Sequence, residues 1–434
     1  MIAALIISIL SILGMIVCVF ACPVLKIKKF QMQTFWIAPL FGAIILLCSG
    51  LVDYNLVFSS FVEQNSVNPL QILILFISMV FLSVVLDEVS FFKYLAFLAV
   101  KKAKNSQTIL FIILYLMVSI LTIFTSNDII VITFTPFIIF FCKNTKVNPI
   151  PYLIGEFVAA NTWSMLLIIG NPTNIYLATS FNIDFFEYIK YMFIPSIFAG
   201  LISLFIMLLI FKKYLNKPLS NNISEEHILD KPIFIFSLIL LILCVILLAI
   251  SSWINLDMWI ISLSSALILL IFIVIYCIFN KEKFYILKDS IKRLPFNLIP
   301  LLLSMFVIVL TLHSYDITKY LANILNASQP ILTYGLSSFL VANLTNNIPM
   351  SIFYVDIISS SSSISYQAIY SSIISSNIAA YFTPIGALAG MMWMGILRKN
   401  EVEFSFLKFT LYGSIIAIPT LLASLGGLYI SFLF

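Results

Sequence analysis

Phe124-Thr125-Ser126-Asn127-Asp128 is a polar knot set between two apolar runs, residues 107–124 and 129–142. A polar, acidic kink at membrane depth cannot face lipid, because its freed backbone groups and its carboxylate would go unsatisfied there. It has to face protein or water. A second knot of the same kind, Leu344-Thr345-Asn346-Asn347-Ile348-Pro349, lies between the arms of residues 328–358. The two knots predict helical hairpins that turn around a shared site.

Composition sets the solvent. Of 434 residues, 62% are hydrophobic and 9% charged, whereas a soluble domain carries about 25% charged residues. Apolar runs of ~20 residues, the length that crosses ~30 Å of hydrocarbon, recur from end to end. They are long and apolar all round, which excludes a barrel built from short alternating strands. The chain is therefore expected to be an all-α integral membrane protein. The net charge of +5 does not point to nucleic acid, since the Lys and Arg residues collect in short loops between apolar runs and so report topology. The six cysteines, at 18, 22, 48, 142, 244 and 277, show no CxxC and no metal-ligand spacing. Residues 1–22 lack a basic leading region and are followed by Lys26, Lys28 and Lys29, the reverse of a signal peptide. They read as a first span with its N-terminus outside.

Spans are predicted at 1–23, 34–52, 69–86 and 193–211, then at 232–250, 256–279, 296–312 and 409–433. Between them come two hairpins, 106–142 and 328–358, and two broken helices. The first broken helix, 150–182, is interrupted at Gly170-Asn171-Pro172-Thr173-Asn174, and the second, 366–397, at Phe382-Thr383-Pro384-Ile385-Gly386. Gly and Pro stop a helix and free backbone groups, which a membrane tolerates only beside protein or a cavity. Amphipathic pieces, Val89 to Lys104 and His313 to Asn326, precede the hairpins. Basic residues flank the first hairpin on both sides, at Lys93 to Lys104 and at Lys143 and Lys146, so it is expected to be re-entrant from the cytoplasm. Counting each broken helix as one span, the layout has ten transmembrane helices plus two re-entrant hairpins, with both termini outside. It leaves only Lys190 and Lys319 of the 23 Lys and Arg residues on the outer face.

The plan repeats. Residues 1–215 form one unit and 232–434 the other, joined by a polar cytoplasmic linker at 216–231. Lys93-Tyr94-Leu95-Ala96 matches Lys319-Tyr320-Leu321-Ala322, Asn127 matches Asn347, Asn161 matches Asn377, and Gly170 matches Gly386. The first unit starts outside and the second inside, so the repeats are inverted, a plan that suits alternating access.

Broken helices expose N–H groups that suit anions and carbonyls that suit cations. Ser126, Asn127, Asn171, Thr173, Asn174, Thr345, Asn346, Asn347, Thr383 and Gly386 gather near those ends and are the candidate substrate-binding set. Singly, each reads as a helix cap or an interhelical hydrogen bond; together they read as a site for an oxyanion, a neutral hydroxylated solute or a sodium ion. Asp128 and Glu156 are the candidate proton- or cation-coupling residues, because a carboxylate at depth is costly unless paired, hydrated or protonated. Asp87-Glu88 reads as a boundary cap or ion pair near Lys93, and Asp356 as an outer-surface residue. His313 reads as an interfacial histidine with a pH role as the alternative. No GxxxxGK[ST], GxSxG or HExxH occurs, which excludes a single-chain ATP-driven pump and gives no support to an enzyme. No cofactor is implied. A channel fits the hydropathy, but paired broken helices favour a carrier.

Leu86-Asp87-Glu88-Val89-Ser90-Phe91-Phe92 resembles the segment closing the third span of bacterial arsenite permeases. Thr125-Ser126-Asn127-Asp128 with Thr135-Pro136 resembles their first hairpin tip, and Asn346-Asn347-Ile348-Pro349 their second. Thr383-Pro384-Ile385-Gly386-Ala387-Leu388-Ala389 followed by Trp393 resembles their second broken helix. Over nearly its whole length the chain is thus similar to the arsenite permease and sodium/proton antiporter group of the ion transporter superfamily. Gly170-Asn171-Pro172-Thr173-Asn174 is closer to the Gly-x-Pro-x-Asn loop of its anion and dicarboxylate relatives. Asn161-Thr162 stands where arsenite permeases typically carry an Asp. The resemblance implies an elevator-like secondary carrier in the cell membrane, often dimeric. The first expectation is proton-coupled arsenite or antimonite efflux; the alternatives are sodium/proton exchange and transport of a di- or tricarboxylate or inorganic oxyanion. The implied partners are a small inorganic solute or anion, a proton or sodium ion and the lipid bilayer, with a homodimer and a separate ATPase subunit also compatible.

Overall fold

A computed structural model describes residues 1–434 apart from 23, 28–29, 63–67, 104–105, 219–226, 281–283, 326–328 and 362–363. Half of the 216–231 linker, residues 219–226, lies outside the described residues, as do Lys28, Lys29, Glu63, Lys104, Lys281, Lys283 and Asn326.

The chain opens with helix α1 (Ile2–Ala21), a two-stranded antiparallel ribbon of β1 (Val24–Ile27) and β2 (Phe30–Gln33), α2 (Ile37–Cys48) and α3 (Tyr54–Val62). Then come α4 (Pro69–Glu88), α5 (Phe91–Lys102), α6 (Gln107–Phe124), α7 (Asn127–Thr145), α8 (Ile150–Trp163), α9 (Pro172–Ser180) and α10 (Phe185–Leu215). The rest comprises α11 (Lys231–Ala249), α12 (Met258–Phe279), α13 (Tyr285–Arg293), α14 (Leu298–Ser314), α15 (Ile317–Leu325), α16 (Pro330–Thr345), α17 (Asn347–Ser359), α18 (Tyr366–Ile378), α19 (Leu388–Lys399) and α20 (Phe406–Ser431).

Among the described residues nine helical stretches are long and apolar enough to cross a membrane. The chain is a multi-pass membrane protein. The make-up of that set differs from the expected spans. Residues 34–52 give only the 12-residue α2, about 18 Å at 1.5 Å per residue. It follows the ribbon and ends before Gly50, whose φ of +67 turns the chain. The span expected at 193–211 starts eight residues earlier: Asp184 accepts the Glu187 N–H and opens the 31-residue α10. Both arms of the first hairpin, α6 and α7, are long enough to be counted as spans. The halves of the broken helices are not, because each stops at its break. The amphipathic pieces are α5 and α15, and a further amphipathic helix, α13, precedes α14.

Exposure sorts the helices. On α11, Ile235, Ile239, Ile242 and Ile246 are exposed in a row, as expected of a lipid-facing stripe. By contrast α4 is buried along most of its length. The packing pattern recurs along the chain: α6 packs on α8 as α16 does on α18, and α5 on α7 as α15 does on α17. Across the molecule α4 packs on α12 as α14 does on α2, α7 on α19 as α17 does on α9, and the long α10 lies along α20. This interlocking brings the breaks and the hairpin tips together.

Candidate functional site

The first break begins where α8 stops at Trp163. Two single turns, Ser164–Leu166 and Ile168–Gly170, separate it from α9. Asn171 caps α9, its Oδ1 accepting from the Thr173 N–H at 3.1 Å and from Thr173 Oγ1 at 3.0 Å. Asn174 Nδ2 donates to the freed carbonyls of Ser164 and Leu167 at 2.8 and 3.2 Å. Gly170 is required here, since a Cβ would collide with the Ser164 carbonyl oxygen. The second break has the same device: α18 runs into a single turn, Ala379–Tyr381, and a Cβ on Gly386 would collide with the Ala379 carbonyl oxygen.

Each hairpin tip is docked on the break of its own half. At the first, Asn127 Nδ2 donates to Asn161 Oδ1 at 2.9 Å, and Asn161 Nδ2 donates to the Phe157 carbonyl at 2.8 Å. At the second, Asn346 adopts a φ of +79 with a ψ of 152, a strained conformation that is otherwise essentially glycine's and is held here by the tip's hydrogen bonds. Its Nδ2 donates to the Ile385 carbonyl at 3.0 Å. The Asn347 N–H donates to the Gly386 carbonyl at 3.0 Å, and Asn347 Nδ2 donates to the Ser376 carbonyl at 3.3 Å.

The two breaks are joined to each other through Asn377. Its Oδ1 accepts from Ser164 Oγ at 2.8 Å and from Asn171 Nδ2 at 3.0 Å, and its Nδ2 donates to Asn174 Oδ1 at 2.7 Å. Thr173 and Ser376 share a hydroxyl hydrogen bond at 2.9 Å, and Thr162 Oγ1 donates to Tyr381 OH at 3.2 Å. Asn127, Asn161, Asn171, Thr173, Asn174, Asn346, Asn347 and Asn377 are all buried. Three candidates stand aside from this network. Thr345 Oγ1 bonds back to the Val341 carbonyl, Thr383 Oγ1 donates to Asn343 Oδ1 at 2.7 Å, and Ser126 makes only a 3.5 Å contact with its neighbour Asn127. Asn161, Ser164, Ser376 and Asn377 were not in the candidate set. The signal that could have found two of them was the equivalence of Asn161 and Asn377 just before the two breaks.

The acidic residues divide into three environments. Asp128, in the first turn of α7, is nine-tenths buried and has no hydrogen-bond or ion-pair partner among the described residues. It faces a cavity of ≈190 Å³ that Arg293 also lines. Glu156 lies in mid-α8 rather than near its end. It accepts from Thr135 Oγ1, at 3.2 Å to the nearer oxygen, and sits beside Trp393. The third group corrects an expectation. Arg293, read as an inside-loop charge, ends α13 with its guanidinium paired to Asp87 at 2.5 Å and Glu88 at 2.6 Å. Thr133 on α7 donates to the same Asp87 oxygen at 2.8 Å. So Asp87-Glu88 pairs with Arg293, 205 residues away, rather than with Lys93. Asp356 is partnered as well: His313 Nδ1 lies 2.9 Å from it. Among the described residues no three His, Cys, Asp or Glu side chains are grouped to hold a metal ion.

A family model described as citrate transporter matches residues 7–372. The arsenical pump membrane protein of Escherichia coli strain K12 is 25% identical over 419 residues, covering 91% of this chain and 92% of its own. The protein of the same description from Yersinia enterocolitica is 25% identical over 374 residues, covering 81% and 84%. An uncharacterized transporter of Mycobacterium tuberculosis is 22% identical over 409 residues, covering 90% and 92%.

Proposed function

We propose, from the premise that this chain belongs to the citrate transporter family, that it is a secondary carrier extruding a neutral trihydroxy solute, arsenite or antimonite, in exchange for protons. Membership makes it a membrane transporter; the solute and the coupling ion are our reading. One observation carries it. The junction of the two breaks and the two hairpin tips is a buried network of Asn, Ser and Thr, and no Lys or Arg is among its described members. Undissociated arsenite offers hydroxyl groups that both donate and accept, as carboxamides and hydroxyls do. A carboxylate or oxyanion of full charge would call for a cationic partner or several free N–H groups. The E. coli and Yersinia relatives, both arsenical pump membrane proteins, agree with this choice.

Asp128 is assigned the proton. It is the unpartnered carboxylate at the first tip, and a proton removes the cost of holding it at depth. Motion is assigned to the hairpins and broken helices, α6–α9 and α16–α19, which would slide as two inverted repeats against the other spans. The recurring pairing of elements supports that assignment. The alternative solute, a carboxylate anion coupled to sodium, is supported by the helix N-termini of α9 and α19 beside the breaks and by the family description.

A host strain lacking its own arsenite exporter tests the reading. On receiving this chain it should become resistant, and everted vesicles should accumulate arsenite under an imposed proton gradient. Unchanged resistance together with sodium-dependent citrate uptake would transfer the assignment to the alternative.

A further inference from the structure

The cavity beside Asp128 lies between α4, α7, the start of α14 and α19. Ile132, Leu388 and Met392 make its walls apolar, and Asp128 and Arg293 supply its charge. Walls of low polarizability lengthen the reach of any charge they enclose.

That charge is negative in sum. Arg293 engages Asp87 and Glu88 through its two terminal nitrogens, at 2.5 and 2.6 Å, so one guanidinium stands against two carboxylates. Asp87 Oδ1 is buried with no hydrogen-bond partner among the described residues. Asp128, also unpartnered among the described residues, faces the cavity directly and adds negative charge only when its proton is released, so the sum is negative in either state. An anion entering would meet a guanidinium already neutralised and a surplus of negative charge. A neutral solute would meet neither attraction nor repulsion of first order, and a cation would be drawn in.

We infer that the Asp87–Glu88–Arg293 cluster is a charge filter at the mouth of the carrier, turning anions away from the Asn-lined junction while admitting neutral solutes and cations. The inference rests on the carrier reading above and deepens it by naming what sets solute class. The filter sits partly on α4 and α13 and reaches α7 through Thr133, whose hydroxyl lies 2.8 Å from Asp87 and 3.4 Å from Arg293. It therefore spans the seam between the hairpin and the helices it packs on. Displacement of α7 along that seam would open the Thr133 bond without disturbing the ion pairs.

The filter is tested without any transported solute. In full-length protein with its six cysteines replaced, Ile132→Cys puts one thiol on the cavity wall. Its rates of reaction with a cationic trimethylammonium-ethyl and an anionic sulfonatoethyl methanethiosulfonate are compared in membrane vesicles, each relative to a free thiol. The cationic reagent should be favoured about tenfold or more, the range that a charged cleft confers on association rates. Adding Asp87→Asn with Glu88→Gln should erase or invert that preference. If the double variant does not assemble, Glu88→Gln alone, at the more exposed carboxylate, should still lower the ratio measurably. A ratio equal to that of the free thiol in the parent overturns the inference. So does a ratio unmoved by the assembled variants, or failure of either reagent to react. A failed arsenite assay would instead remove the solute assignment and leave this measurement standing.

Discussion

The two hairpin tips share a backbone plan and differ in charge. Both start a helix on an Asn, Asn127 and Asn347, and both dock on the broken helix of their own half. The residue after that Asn is Asp128 at the first tip and Ile348 at the second. The seams behind them differ likewise. Behind the first tip, Arg293 holds Asp87 and Glu88 next to Thr133 of α7. Behind the second, His313 on α14 holds Asp356 on α17. Like geometry lets either tip pack in the same way. Unlike charge means that, of these two residues, only Asp128 has a group that can take up and release a proton.

The largest expected effect tests that division. Asp128→Asn keeps the shape and hydrogen-bonding capacity of the side chain but cannot release a proton. Proton-driven transport should fall to background, with membrane expression and monodispersity in detergent unchanged. Normal gradient-driven accumulation in this variant would move the coupling role elsewhere, with Glu156 next in line. Ile348→Asp, the mirror change, puts a carboxylate on both tips and should weaken coupling if the asymmetry described is the operative one; unchanged coupling would mean that the charge difference between the tips is not what matters.

The seams differ in burial, and that difference predicts unequal stabilities. Removing one partner of a buried pair costs ~3–5 kcal/mol, because the other charge is left uncompensated. Arg293 keeps 28% of its side-chain exposure, which places Arg293→Gln toward the lower end of that range. The side chain of His313 is half-exposed and that of Asp356 mostly covered, and exposed pairs contribute roughly 0–1 kcal/mol. His313→Gln should therefore be several times milder. Thermal unfolding of both variants in the same detergent reads the contrast, and equal losses would mean that the two seams are closed by something other than these pairs.

How far the sequence foretold this follows from the range of each interaction. The breaks were legible because Gly, Pro and Asn act locally: Gly170 and Gly386 each lie against a carbonyl of the turn just before them. The tips were legible because polar residues inside apolar runs stand out at membrane depth. The short α2 and the ribbon before it were not, since an apolar run alone does not say where a helix stops. The bonds of Asn377 to Ser164, Asn171 and Asn174 join residues more than 200 positions apart. So does the Arg293 pair. Such partners are fixed by packing, and no local signal names them. The reading of Arg293 as a topology charge shows the cost, because one residue can report topology and also close a buried pair.

The smallest expected effect is the most direct test of a two-tip site. Asn127→Ala removes the only side-chain donor on Asn161 Oδ1, a buried acceptor, among the described residues. An orphaned buried group costs about 1–3 kcal/mol. Asn347→Ala loses a longer bond, 3.3 Å, to a backbone carbonyl, and keeps the backbone N–H bond to Gly386. An ordinary hydrogen bond contributes about 0.5–1.5 kcal/mol. Both variants should raise the half-saturating solute concentration severalfold with little change in maximal rate, Asn127→Ala by the larger factor. Their thermal stabilities should follow the same order. A rise confined to one variant would mean that the solute is held at one tip only. A loss of stability without a change in half-saturation would mean that these side chains only dock the tips. In either case the shared geometry of the two tips would be a packing solution, and the solute would have to be sought along the Asn171–Asn377–Asn174 chain between the breaks.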